Sequence, residues 1–219
     1  MSQRLIIFAR APVPGRVKSR LAADIGDLAV AGVYARLLYA TLTDLARAEL
    51  DEIEVCLSVA SGDDAPFFAR AFPEFRVTVQ PAGDLGARLT AAFEEAFQAG
   101  VDAALVIATD VPSLDARVVR TAFQSLERAP GVVGPCPDGG YYLLGLRAPG
   151  ADLFHPVDWG TDRVLAQTER LAASSGIKLK RLPPLMDVDT GDELTAWLRS
   201  LNDRRGLDSS ERPPGGTKA

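Results

Sequence analysis

The apolar positions change period along the chain. A continuous run at 4–8 (RLIIF) predicts a short buried strand. The spacing of Val30, Tyr34, Leu37, Leu38, Leu42 and Leu45 then predicts a helix over 28–48. Further strands are predicted at 52–60 (EIEVCLSVA), at 76–80 (RVTVQ, between Pro73 and Pro81) and at 102–110 (DAALVIATD), the last a continuous apolar run ending in a polar pair. Helical spacing returns over 84–100, where Leu85, Leu89, Phe93 and Phe97 share a face and Gly100 is a stop signal. It recurs over 113–129, with Val118, Val119, Ala122, Phe123 and Leu126 in register. Two short strands, 131–136 and 141–146, flank a PDGG turn, and a helix follows over 162–176. Strand-like pieces at 177–184 and 185–189 lead into a closing helix at 191–201 bearing Leu194, Trp197, Leu198 and Leu201.

Strands alternating with helices predict a three-layer α/β/α sandwich, Rossmann-like, around a mostly parallel mixed sheet. Neither a repeat nor an interdomain linker interrupts residues 1–202, which read as one domain. The polar, Pro/Gly-rich segment 203–219 reads as a disordered tail.

Ligands of such sheets bind outside the carboxyl ends of the strands. That rule points to two stretches: FARAPVPGRVKSRL (8–21) after the first strand and ATDVP (108–112) after the fourth. The first carries Arg10, Arg16, Lys18 and Arg20 with no acid among them, on a chain whose net charge is −5. Guanidinium forks and an ammonium suit phosphate groups, and Gly15 lets the backbone approach a ligand. Neither GxxxxGK[ST] nor GxGxxG is present. The acidic balance argues against a nucleic-acid partner. No basic leader precedes an apolar segment and no run reaches the ~18 apolar residues of a span, so a cytoplasmic location without a membrane partner is expected.

Asp110 ends a buried apolar strand, a costly place for a charge unless it is paired or binds a cation; a cap on the next turn by Thr109 or Asp110 is the alternative. Asp187 and Asp189 alternate in DVDT, so an extended segment would point both to one side, where they could complete a metal site. Equally, Thr190 with Glu193 matches a capping box. In PDGGYYLLGL, Asp138, Gly139, Gly140 and Tyr141 form either a ligand-facing turn or a plain hairpin. Trp159 could stack on a sugar ring or pack in the core, and Thr161 and Asp162 could start a helix. His155, the only histidine, sits beside Pro156 in a loop, which makes Ser-His-Asp chemistry improbable. Cys56 and Cys136 read as small buried residues.

FARAPVPGRVKSRL, QPAGDLGARL, ATDVPSL, GPCPDGGYYLLGL, WGTDRVLAQT and DVDTGDEL, in this order, resemble a bacterial glycosyltransferase-like family of the GT-A nucleotide-diphospho-sugar transferase superfamily. Some of its members bear the arsenosugar-biosynthesis glycosyltransferase name, and it is related to molybdenum-cofactor and phospholactate guanylyltransferases. The resemblance covers about 4–200 and implies a GT-A fold and an Mg²⁺- or Mn²⁺-dependent transferase acting on a nucleotide or nucleotide-sugar donor and a small-molecule acceptor. It implies phosphate or nucleotide contacts at Arg10, Gly15, Arg16, Lys18, Arg20, Gly83, Asp84, Gly86 and Arg88. It also implies a metal at Asp110 and Asp189 with Asp187 beside them, and acceptor or sugar contacts at Asp138, Gly139, Gly140, Tyr141 and Trp159. Lys18, Arg16 and Asp110 would then carry catalysis electrostatically. Three departures stand out. Ser19 replaces a frequent threonine, Ala108 and Val111 stand where glycine and cysteine are frequent, and Pro112 occupies the third place of a DxD, which keeps nucleotidyl transfer beside glycosyl transfer. A non-catalytic nucleotide-binding module is the reading outside enzymology.

Overall fold

The computed structural model describes residues 1–48, 50 and 52–210. Seven strands form one sheet: β1 (Gln3–Ala9), β2 (Ile53–Val59), β3 (Arg76–Val79), β4 (Ala103–Ile107), β5 (Gly131–Pro135), β6 (Tyr141–Leu146) and β7 (Leu179–Arg181). Their order across the sheet is β3-β2-β1-β4-β6-β5-β7. β6 alone runs antiparallel to its neighbours, so the sheet is mixed and mostly parallel.

The sheet is buried on both faces, which is why β1 and β4 read as continuous apolar runs rather than alternating ones. Successive residues still point to opposite sides. Leu5, Ile7, Leu105 and Ile107 face the larger core with α1 (Ser19–Ile25), α2 (Asp27–Arg47), α3 (Ala65–Ala71), α5 (Ala116–Leu126) and α7 (Gly191–Ser210). Ile6, Ala104 and Val106 face the smaller core with α4 (Leu85–Gln98) and α6 (Val164–Ser174). This is the expected three-layer α/β/α sandwich. Helix α2 has the length and hydropathy to cross a membrane, but its stripe of Val30, Tyr34, Leu37, Leu38, Leu42 and Leu45 is buried against the sheet.

The chain departs from the sequence expectation in four places. α1 and α3 were not foreseen: each has seven residues and one buried side chain, Leu21 or Phe68, too few to set a period. Segment 185–189 is not a strand. It hangs on the sheet by isolated bonds, Leu185 N to Pro135 O (3.1 Å) and Val188 N to Asp110 O (3.2 Å). α7 continues to Ser210, inside the segment expected as a tail; residues 211–219 of that segment lie outside the described residues.

β1 pairs with β2 on one side and β4 on the other, so the winding direction reverses between β1 and β4. The loops after these two strands flank the crevice where doubly wound sheets bind ligands.

Candidate active site

The loop leaving β1 turns at Gly15 (φ +77) and closes with an Arg16 N to Val13 O bond of 3.0 Å. It ends at Lys18, φ 49, the one non-glycine residue at positive φ among the described residues. That conformation costs about 1–2 kcal/mol. The partners of the side chain hold it there: Nζ donates to Asp110 Oδ2 at 2.6 Å and to Asp189 Oδ1. The Lys18 side chain is 7% exposed and the two carboxylates 28% and 29%. Burial alone would lower the ammonium's pKa; the charges of Asp110 and Asp189 and both hydrogen bonds outweigh it and hold Lys18 above its ordinary value.

Asp189 comes 171 positions after Lys18. It reaches Asp110 because 182–188 tracks the end of β5 and Val188 N–H bonds the Asp110 carbonyl. The Glu193 carboxylate accepts from Asp189 N (2.7 Å) and Thr190 N (2.8 Å), while Glu193 N donates to Thr190 Oγ1 (3.3 Å). The capping box is therefore present, and it fixes the backbone of Asp189 while leaving its carboxylate for Lys18. On the other side, Tyr34 Oη accepts from Arg10 N (3.2 Å) and pairs with Thr109 Oγ1 (3.0 Å), tying the β1 loop to the end of β4. Thr109 and Asp110 are thus engaged across the crevice rather than capping the turn that follows.

The expected metal set of Asp110, Asp187 and Asp189 is divided between two groups. Lys18 stands between Asp110 and Asp189. Among the described residues the converging ligand atoms belong to Cys136, Asp138 and Asp187, all within 4.8 Å of one another. Burial, then the charges of Asp138, Asp189 and Asp110, push the Asp187 carboxyl up to about 7. Burial and the same acidic neighbourhood push the Cys136 thiol up. Carboxylates crowded in this way gain by meeting a cation, and oxygen donors suit Mg²⁺ or Mn²⁺. The donor set around Asp187 could therefore hold a divalent ion.

Three cavities adjoin these carboxylates. The first, about 460 Å³, is lined by Arg10, Gly15, Arg16, Lys18, Ser19 and Ser61 and contains no acid. The second, about 230 Å³, is an apolar slot over the ends of β1, β4 and β6 that includes Arg88 and Gln80. The third, about 320 Å³, has Asp138, Asp162, Asp189, Trp159, Gly140 and Arg20 in its wall.

Several expected ligand contacts are placed differently. Arg20 lies in the third cavity, away from the basic one, where Nη2 donates to Gly160 O (2.9 Å). Asp84 caps α4, its Oδ1 accepting from Ala87 N at 2.8 Å. Gly83, φ +125, supplies its carbonyl to Arg88 Nε. Gly86 is required by packing, because a Cβ there would come within 2.6 Å of Phe154 O and 2.8 Å of Trp159 Nε1. Gly139, φ +89, would collide through a Cβ with the backbone carbonyl of Asp162. The Tyr141 ring lines the second and third cavities, but its hydroxyl is buried beside Thr168. His155 is exposed in its loop.

Four contributors were missed from sequence: Tyr34, Gln80, Asp64 and Cys136 as a member of the acidic group. Asp64 is 1% exposed, and its carboxylate, which makes no hydrogen bond, lies 3.3 Å from Arg16 Nη2. Arg16 Nη2 also donates to Ser61 Oγ at 3.1 Å. A polar residue at a strand end, such as Gln80, was the only available signal among them.

The fold is of the GT-A type found in nucleotide-binding transferases, which supports an enzymatic transferase. A crystal structure of a candidate nucleotide-diphospho-sugar transferase from Desulfovibrio desulfuricans G20 matches with 30% identity and a TM-score of 0.84, over 91% of this chain and 87% of that one. Residues 41–161 match the family model described as an uncharacterized protein conserved in bacteria (DUF2064), and the chain belongs to that family. The fold is shared more distantly by 4-diphosphocytidyl-2C-methyl-D-erythritol synthase from Anaerococcus prevotii DSM 20548 (11% identity, TM-score 0.59, 90% of this chain and 98% of that one). It is shared also by Rv0371c of Mycobacterium tuberculosis H37Rv in complex with manganese (17% identity, TM-score 0.56, 91% and 100%). No curated protein matches the chain significantly.

Proposed function

We propose that this chain is a glycosyltransferase that takes a nucleoside-diphosphate sugar and passes the sugar to a hydroxyl-bearing acceptor without a phosphate. The observation that carries this reading is the separation of charge across the crevice. Arg10, Arg16 and Lys18 line a cavity with no carboxylate, whereas in the cavity that holds Trp159, on the acceptor side, Asp138, Asp162 and Asp189 outnumber the single cation Arg20, whose Nη2 already donates to Gly160 O. A phosphorylated acceptor would meet these carboxylates at a Coulombic cost; hydroxyl groups would donate to them, and the indole suits the apolar face of a sugar ring. An arsenosugar-type glycosyltransferase would be one instance of this reaction.

In the reaction the acceptor hydroxyl attacks the anomeric carbon and the bond to the diphosphate oxygen breaks. Charge grows on the departing phosphate, where Lys18 and Arg16 oppose it. Asp138, whose Oδ1 is held by the Gly140 N–H at 2.8 Å, takes the hydroxyl proton. Asp187, whose carboxyl is crowded by Asp138 and Asp189, would hold Mg²⁺ or Mn²⁺, which when bound would supply charge neutralisation of the diphosphate.

A second reading, nucleotidyl transfer from a nucleoside triphosphate, is favoured by the size of the basic cavity, which at about 460 Å³ has room for a further phosphate. Incubating the protein and Mn²⁺ with sugar-labelled nucleotide sugars and a pool of polyol acceptors tests the first. Label should pass to a neutral acceptor. Pyrophosphate release from a nucleoside triphosphate, with no transfer of sugar, would support the second and overturn the first.

A further inference from the structure

We infer that Arg88 selects the nucleobase, favouring a base that presents a carbonyl edge and discriminating against adenine. This rests on the nucleotide-donor reading above and adds which donors the site accepts. The apolar slot is walled by Phe8, Leu85, Leu89, Val106 and Leu144, and its volume of about 230 Å³ suits a flat heterocycle. Its polar lining includes Gln80 and Arg88 together with Arg10, Thr109 and Asp110, of which Arg10 and Asp110 are already engaged with Arg16 O and Lys18.

Gln80 is 9% exposed and already committed. Its Nε2 donates to Ser58 O at 2.7 Å, and its Oε1 accepts from Arg88 Nη1 at 3.2 Å. Arg88 Nε donates to Gly83 O at 3.2 Å. Among the described residues no carboxylate lies within ion-pair distance of Arg88. Two neutral acceptors thus fix the guanidinium without cancelling its charge, and its remaining N–H groups stay available at the slot.

A guanidinium has donors only. It can therefore pair with adjacent base acceptors, such as O6 and N7 of guanine, or with a uracil carbonyl. It meets the exocyclic amine of adenine donor to donor. The pairing chemistry is worth about a tenfold to a hundredfold preference for one base over another. Gln80 acts as a positioning residue: its Oε1 accepts from Arg88, and the bond from its Nε2 to Ser58 O holds the amide in that orientation.

The test uses the full chain with Mn²⁺ and calorimetric titration of GDP, IDP, UDP, ADP and inorganic pyrophosphate. GDP and IDP, UDP, or all three should bind about tenfold to a hundredfold more tightly than ADP. Which of them leads identifies the base. Arg88→Met should reduce the preferred nucleotide to the ADP level and leave pyrophosphate affinity unchanged. Arg88→Lys, which keeps the charge but not the fork, should restore little of the preference. Gln80→Leu should reduce the preference without abolishing binding. Equal affinity for ADP and the carbonyl bases, or a preference that survives Arg88→Met, would overturn this inference and leave the donor reading intact. Binding of none of the nucleotides would overturn both.

Discussion

Replacing Lys18 with methionine removes the cation between Asp110 and Asp189 while keeping an unbranched apolar stem and the same cost at φ 49. Breaking a fully buried pair by removing one partner costs about 3–5 kcal/mol, and an exposed pair contributes about 0–1. Lys18 is 7% exposed but its partners are 28% and 29% exposed, so the two contacts together fall between these limits, at about 2–3 kcal/mol. For a domain of this size each kcal/mol moves Tm by about 2–4 °C, giving an expected fall of roughly 4–12 °C. Because the folded-state pKa of Lys18 is raised, its stabilisation is fully present below the unfolded lysine value and is lost only as pH rises through the folded one. Neutral pH therefore shows the whole effect. Thermal denaturation in EDTA measures the fall; repeating it with Mn²⁺ should show a larger metal-induced gain in the variant than in the parent, since the carboxylates left without Lys18 bind the ion more strongly. A variant as stable as the parent in EDTA, or one that gains less from Mn²⁺, would refute the role assigned to this lysine.

Other substitutions probe separate parts of the site. Asp64→Asn should free Arg16 and raise the KM for the donor about tenfold with a smaller change in kcat, measured by steady-state kinetics, because the buried carboxylate orients a phosphate-binding side chain. Asp187→Asn should remove most of the Mn²⁺-induced rise in Tm while making the metal-free protein more stable, as one carboxylate facing Asp138 disappears. Gly139→Ala should cost at least about 2 kcal/mol by urea denaturation, through the collision with Asp162 added to strain at positive φ; Gly160→Ala, also at positive φ but with nothing within 4 Å, should cost about 1 kcal/mol. Thr190→Ala should cost about 1 kcal/mol by the same measurement, through loss of the helix cap beside Asp189.

The parts of this molecule that were legible in the sequence are those written in local pattern. β1 and β4 are buried on both faces, so their apolar runs identified them, and the switch-point rule then located the basic loop and Asp110. The Thr190–Glu193 box was readable because a cap needs fixed residue types three positions apart. What escaped depends on contacts between distant elements. Lys18, at φ 49, turns the chain between the loop and α1, so Arg20 in the first turn of the helix reaches Gly160 instead of joining Arg16. Asp187 and Asp189 seemed equivalent in an extended DVD; without a ladder to keep them in one plane, one meets Lys18 and the other joins Cys136 and Asp138. The Asp64–Arg16 pair joins the N-cap of α3, a helix too short to leave a period, to the loop after β1, and the hold of Gln80 on Arg88 joins a strand end to a helix.

The most direct test of the proposed chemistry is a phosphorus NMR time course of the full chain with Mg²⁺, a nucleotide sugar chosen by the binding titration, and a polyol acceptor. Signals of the free nucleoside diphosphate should grow only when the acceptor is present, and should fail to grow with Asp138→Asn. A parallel sample with nucleoside triphosphate should remain unchanged. Pyrophosphate appearing in that second sample while the nucleotide sugar stays intact would contradict glycosyl transfer.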